Sequence, residues 1–147
     1  MSTKDMFSKE RVNFNLKAST KNEVLDELID MMVADGKVID KDKFKQAVLK
    51  REEEFSTGIG MGIAIPHGKS DAVKEASIVF GRSDKGIDYQ SMDDKPAHLF
   101  FLIGVPQESS DLHLRALSEI SRKLMHSDIR EQLFNAQSFE EFIKVFE

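Results

Sequence analysis

Residues 97–105 read Ala97-His98-Leu99-Phe100-Phe101-Leu102-Ile103-Gly104-Val105. Apart from His98 the run carries no polar side chain, so a strand built from it is nearly apolar on both faces. Such a strand is stable where both sides of its sheet are covered, which places it in the middle of a sheet. Covers for both sides should therefore be found in the rest of the chain.

Working outward, the last third is helical. Ser110 or Asp111 caps a helix whose inner stripe reads Leu114, Leu117, Ile120 and Leu124. A shorter helix runs from Ser127 to about Asn135, and Ser138 with Glu141 caps a final one that turns Phe139, Phe142, Ile143 and Phe146 inward. Upstream, residues 77–80 read as a second strand, separated from the first by the turn-rich Asp84-Lys85-Gly86 and Asp93-Asp94-Lys95-Pro96. Val12, Phe14 and Leu16 alternate with polar residues as a short strand does. Thr20 and Glu23 have capping-box spacing and open a helix with Val24, Leu25, Leu28, Ile29 and Met32 inside, stopped at Gly36. Asp40 opens a second helix through Phe44, Ala47 and Val48, which ends near the charged run 50–54. Helices on either side of a central group of strands make the class α/β. A chain of 147 residues fits one domain, residues 1–147, and no repeat or low-complexity segment divides it.

Composition removes several function classes. The net charge is −5, with lysines and arginines interleaved among acids, so no basic surface is offered to a nucleic acid. There is no cysteine, which excludes disulfides, thiolate metal sites and cysteine nucleophiles together. No apolar run approaches the roughly 18 residues that span a bilayer, and the first ten residues lack the apolar core of a signal peptide. A cytoplasmic protein that meets a partner protein or a small ligand is expected.

The stretch 55–70 behaves differently from the rest. Four glycines in eleven positions (Gly58, Gly60, Gly62 and Gly68) make a supple loop that closes on a short apolar strand at 63–65, followed by Pro66-His67-Gly68-Lys69-Ser70. Gly68-Lys69-Ser70 ends like a nucleotide-binding P-loop, but the glycine that motif needs five places earlier is Ile63, and Pro66-His67 interrupts the loop. The glycines at 58, 60 and 62 do not form GxGxxG either. Of the four histidines, His126 suits a helix C-terminus and His98 opens the central strand. His67 follows a strand and a proline among glycines that admit a ligand to the backbone, although a satisfied turn histidine has the same sequence signature. With an ordinary pKa near 6.5, about three quarters of such a side chain is neutral at pH 7 and nucleophilic. His113 falls in the first turn of its helix, where free N–H groups and the dipole favour an anion, or else at the edge of the core. A metal held by His67 and His113 would lack a third ligand.

Two segments carry a resemblance. Thr57-Gly58-Ile59-Gly60 with Gly62-Ile63-Ala64-Ile65-Pro66-His67-Gly68-Lys69 resembles the phosphorylation-site motif of the fructose–mannitol class of phosphotransferase-system enzyme IIA domains. Leu99-Phe100-Phe101-Leu102-Ile103, Val105-Pro106 and His113-Leu114-Arg115-Ala116-Leu117 match the same class, and the order of helices and strands extends the likeness over nearly the whole chain. The resemblance implies a mixed sheet of about five strands with helices on both faces, a three-layer sandwich. It implies phosphorylation of His67 on Nε2, a hydrogen bond from His113 to the phosphoryl oxygens, and Arg51 placed near the same group. Thr57, Gly58, Gly60 and Gly68 would line the phosphoryl-binding loop, with no metal and no cofactor. The implied donor is the phosphocarrier protein HPr, and the acceptor is a cysteine of enzyme IIB working with the membrane component IIC. Because this chain has no cysteine, IIB must come from another chain or another part of a longer protein. Fructose is the sugar implied. The nitrogen-type regulatory relative shares much of the 57–69 motif but matches the 99–106 and 113–117 segments less well. A non-catalytic module with a vestigial site is opposed by the intact His67, His113 and Arg51.

Overall fold

In the computed structural model, which describes residues 2–109 and 111–147, the two-faced run is strand β6 (Ala97–Pro106), and it has strand neighbours on both edges. On one edge lies β5 (Ser77–Ile87), antiparallel, and beyond it the two-residue β1 (Val12–Asn13), parallel to β5. On the other edge β3 (Ile63–Ala64) and β4 (His67–Ser70) follow one another along β6, both parallel to it. Pro66, which has no N–H to give a ladder, stands in the gap between them. The edge strand β2 (Gly58–Gly60) closes the order β1-β5-β6-β3-β2 as an antiparallel partner of β3. The sheet is mixed, and the expected α/β class with helices on both faces is what forms.

Side-chain alternation along the strands divides the interior in two. Leu99, Phe101, Ile103 and Val105 of β6, with Ile78 and Phe80 of β5, pack on α3 (Leu112–Leu124), α4 (Ser127–Asn135) and α5 (Phe139–Ile143). Phe100, Leu102, Val79 and Ala64 point the other way, onto α1 (Lys21–Ala34) and α2 (Lys41–Glu54). The five inward residues expected for α1 are fully buried. Among the described residues no helix is long and apolar enough to cross a membrane.

The helix starts follow their caps. Thr20 accepts from the Glu23 N–H at 3.2 Å, Asp40 from Lys43 at 3.1 Å and Ser138 from Glu141 at 3.2 Å. In the first and last of these the glutamate reaches back one residue further than the standard box, accepting from the N–H of Ser19 and Gln137.

Three expectations need correction. The alternating strand at 12–16 stops at Asn13, because the Asn13 side chain accepts from the Asn15 N–H and turns the chain. Asp84-Lys85-Gly86 does not end β5 but forms a bulge within it: Ser83 captures the Gly86 N–H, Gly86 takes φ 85°, and pairing resumes at Ile87. On α3 the buried stripe is Ala116, Ile120 and Leu124, while Leu114 is 54% exposed, since the helix is rotated so that Ala116 meets the sheet. Ser110, one of the two expected caps, lies outside the described residues, and Asp111 stands at the cap position without a side-chain capping bond. His126 follows α3 as expected and also occupies the cap position of α4.

Candidate functional site

The expected strand at 63–65 forms as β3, but the glycine-rich residues on either side of it are strands as well, β2 and β4, and His67 is the first residue of β4. The Pro66 carbonyl accepts from the Ile103 N–H at 3.0 Å, which pins the start of β4 to the central strand. His67 is 8% exposed. Its Nδ1 lies 2.8 Å from the Ile65 carbonyl oxygen. A carbonyl can only accept, so Nδ1 carries the proton and the lone pair of the neutral ring is on Nε2. Burial is the largest influence on this imidazole and pushes its pKa below the ordinary value. The Ile65 carbonyl opposes that shift, the Arg51 charge adds to it, and Glu52 and Glu54 oppose it. At neutral pH the side chain is therefore an uncharged nucleophile of fixed tautomer.

His113 comes from the first turn of α3. The two imidazole centroids are 6.4 Å apart with a 34° tilt between ring planes. The Nδ1 of His113 is buried and has no hydrogen-bond partner among the described residues. Burial, then the charges of His67 and Lys69, hold the His113 pKa below the ordinary range against the pull of Asp111.

Arg51 lies in the last turn of α2. Its Nη1 donates to the Phe55 carbonyl at 2.9 Å, its guanidinium carbon sits 4.6 Å from the centre of the Phe55 ring, and its Nε is 4.0 Å from Glu54. These contacts hold the guanidinium close enough for its charge to be felt at His67.

Thr57 is 3% exposed, and its hydroxyl donates to Glu52 while its N–H donates to the other Glu52 oxygen at 3.1 Å. Glu52 also accepts from the Tyr89 hydroxyl at 3.0 Å and pairs with Lys21 at 2.9 Å. Burial and the adjacent Glu52 raise the Tyr89 pKa well above its usual value, so the phenol keeps its proton. Sequence reasoning missed this cluster, taking 50–54 as a charged run at the helix end. A signal was present: Phe44, Val48 and Glu52 fall at spacings of four, so Glu52 continues the buried stripe of α2.

The glycines have local reasons of their own. A Cβ on Gly58 would collide with the Ser91 hydroxyl, and Gly60 takes φ 93° beside Asp93. Gly68 lies under α2, where a Cβ would stand 3.0 Å from a Val48 methyl. Among the described residues no three histidine, aspartate or glutamate side chains gather as a metal site.

A neutral nucleophilic nitrogen, an imidazole beside it from a helix N-terminus and a nearby guanidinium make a group suited to a compact anion. Comparison with known proteins gives that group a family. The sequence profile described as phosphoenolpyruvate-dependent sugar phosphotransferase system, EIIA 2, matches residues 5–147. The chain belongs to this EIIA family. It is 48% identical over 120 residues to the fructose-specific EIIA component of Haloferax volcanii, covering 82% of this chain and 78% of that one. It is 41% identical over 145 residues to the fructose-specific EIIABC component of Bacillus subtilis, covering 99% of this chain but 23% of that protein. Among solved structures, nitrogen regulatory protein IIA-Ntr of Neisseria meningitidis superposes with a TM-score of 0.90 at 26% identity, covering 98% of each chain. The mannitol IIA from Escherichia coli, in complex with its phosphorylated IIB, superposes at 0.80 with 25% identity, covering 95% of this chain and 96% of that one. This EIIA therefore falls in the fructose–mannitol class, and EIIA domains are phosphoryl-transfer components.

Proposed function

We propose that this EIIA carries a phosphoryl group on Nε2 of His67, accepting it from phosphorylated HPr and passing it to a cysteine of enzyme IIB, in a relay that phosphorylates a sugar, fructose, during uptake. The observation that carries the proposal is the buried His67 ring with Nδ1 committed to the Ile65 carbonyl and Nε2 left as its nucleophilic nitrogen.

The chemistry needs no proton movement at His67. Nε2 attacks phosphorus in line as the bond to the donor's leaving atom breaks, and the ring becomes an imidazolium whose proton stays on Nδ1, hydrogen-bonded to the Ile65 carbonyl. That carbonyl stabilises the ring charge, while His113 and Arg51 supply donors to the phosphoryl oxygens, each charge-assisted bond contributing about 1.5–3 kcal/mol. On transfer, the P–N bond breaks as the IIB thiolate forms a P–S bond, and the ring leaves as the neutral tautomer from which it began. Fructose as the sugar, and IIB and IIC as partners, rest on similarity to the fructose-specific relatives and to the mannitol IIA found with IIB.

Labelling with phospho-HPr tests the proposal: His67→Ala should abolish an acid-labile, alkali-stable label. A label that survives on Ser56 or Ser70 would overturn it. His113→Ala should still accept label but pass it to IIB about a hundred- to a thousandfold more slowly, the effect of losing one positioned donor. A regulatory reading, in which the phosphorylation state is itself the signal, is favoured by the close superposition on IIA-Ntr. Rapid acceptance from HPr with no transfer to any IIB would select it.

A further inference from the structure

Arg51 is placed at the site by contacts that are entirely local: the carbonyl and ring of Phe55 and the carboxylate of Glu54, all within four residues of it. None of these fixes the last turn of α2 against the sheet that carries His67. The next residue does. Glu52 is buried, and its two oxygens take four donors from three separate parts of the chain: Lys21 at the start of α1, the N–H and hydroxyl of Thr57 just before β2, and the hydroxyl of Tyr89 just after β5. Four donors fill the lone-pair positions of a carboxylate. The Lys21 ammonium also lies 4.5 Å from the centre of the Tyr89 ring, so the cation is held from two sides.

Burying a carboxylate and an ammonium is expensive, and their attraction repays it only where geometry is good. Packing of α2 does not need the pair, because Phe44 and Val48, both fully buried, already seat the helix one and two turns earlier. What the apolar contacts lack is direction: they allow the last turn to rotate or slide slightly, whereas a carboxylate bonded to Thr57, Tyr89 and Lys21 allows one orientation. Adjacent residues on a helix point about 100° apart, so fixing Glu52 inward fixes the direction from which Arg51 reaches outward.

We propose that Glu52 is a positioning residue for phosphoryl transfer, holding Arg51 and the 57–58 backbone in register with His67, and that Thr57 acts through Glu52 rather than on the phosphoryl group. The Thr57 hydroxyl proton is already committed to the carboxylate, so it is not available to an incoming anion. This inference rests on the phosphoryl-carrier reading and deepens it.

The test is a set of cycles on the full chain, with phospho-HPr as donor and label on His67 as readout. Glu52→Gln keeps the size of the side chain and its oxygen for one donor but replaces an acceptor by a donor. It should lower kcat by about ten- to a hundredfold, the effect of a displacement on the order of 1 Å at a reacting site, with KM for phospho-HPr little changed because Glu52 faces inward. In an Arg51→Lys background the same change should cost much less, since Arg51 is the group it positions. Thr57→Val should match part of the Glu52→Gln defect and add little to it, and Thr57→Ser should recover transfer relative to Thr57→Val. If Glu52→Gln does not fold, Tyr89→Phe, which removes a single donor, is paired with Arg51→Lys in the same way. Wild-type kcat in Glu52→Gln, or losses that simply multiply with those of Arg51→Lys, would overturn the inference. If the wild-type label does not map to His67, the carrier reading itself has failed, and that outcome is read before any cycle is begun.

Discussion

Gly68 follows the proposed phosphoryl acceptor, and the smallest possible enlargement there should disturb both stability and transfer. In the parallel ladder Gly68 is the register partner of Gly104, and the two glycines make a shallow floor on which α2 lies. A Cβ at position 68 would stand 3.0 Å from Val48 Cγ2, 3.2 Å from Phe44 Cε1 and 3.4 Å from the Val48 backbone nitrogen. A Cβ at 104 would meet the same Phe44 ring at 2.9 Å. Comfortable carbon–carbon contact begins at about 3.5 Å, and both Phe44 and Val48 are fully buried, so neither can swing away. The strand backbone at 68 is not in the positive-φ region, so the cost of Gly68→Ala is one of space and not of conformation. Overpacking of this kind costs about 1–3 kcal/mol, which for a chain of this length lowers the melting temperature by about 2–12 °C. Calorimetry on Gly68→Ala and on Gly68→Ala/Val48→Ala checks the reasoning. Removing the Val48 methyls clears the closest contact, so the double variant should be more stable than the two single losses predict, by about 0.5–3 kcal/mol. Phosphoryl acceptance should fall with stability in the single variant, because the helix being lifted is the one that carries Arg51. An unchanged melting temperature, or strict additivity with Val48→Ala, would refute the close-contact argument.

The β2–β3 hairpin turns through Met61 and Gly62 at φ 59° and 80°, the pattern of a type I′ turn, whose preferred first residue is asparagine. Met61→Asn should raise the melting temperature by about 2–4 °C, equivalent to roughly 1 kcal/mol; a fall would show that the methionine side chain is itself stabilising. Because burial depresses the pKa of His67, with Arg51 adding to it, the ring is less protonated than an ordinary histidine as pH falls through about 6.5. A histidine whose folded-state pKa is lowered contributes stability above the unfolded pKa and loses it as pH falls through the folded one. Titration followed by NMR should therefore place the His67 midpoint below 6.5, with His113 also displaced downward, and phosphoryl acceptance should begin to fail at pH values lower than for a free histidine. A His67 midpoint at or above 6.5 would contradict the burial that the fold imposes.

Much of this protein is fixed by short-range sequence. Thr20, Asp40 and Ser138 start their helices because a side-chain oxygen three residues away is a local event. The two-faced run at 97–105 becomes the central strand because no other environment can bury both of its sides. The histidine-bearing motif could be recognised for the same reason, as a continuous stretch. Tertiary structure decided what depends on distant partners. Asp84-Lys85-Gly86 is a turn by composition, yet β6 pairs beyond it and converts it to a bulge. Leu114 is exposed and Ala116 buried, because the rotation of α3 follows the sum of its contacts with the sheet rather than its own apolar count. Thr57 lies inside the recognisable motif, but its hydroxyl turns to a carboxylate supplied by α2. The apposition of His67 and His113, 6.4 Å apart in space and separated by most of the sheet in sequence, exists because β4 pairs with β6 and α3 packs on the same strand. Local bonding chooses each element from the residues within a turn of it, whereas the site is assembled by long-range pairing, whose energy is shared among many side chains and written in no single stretch.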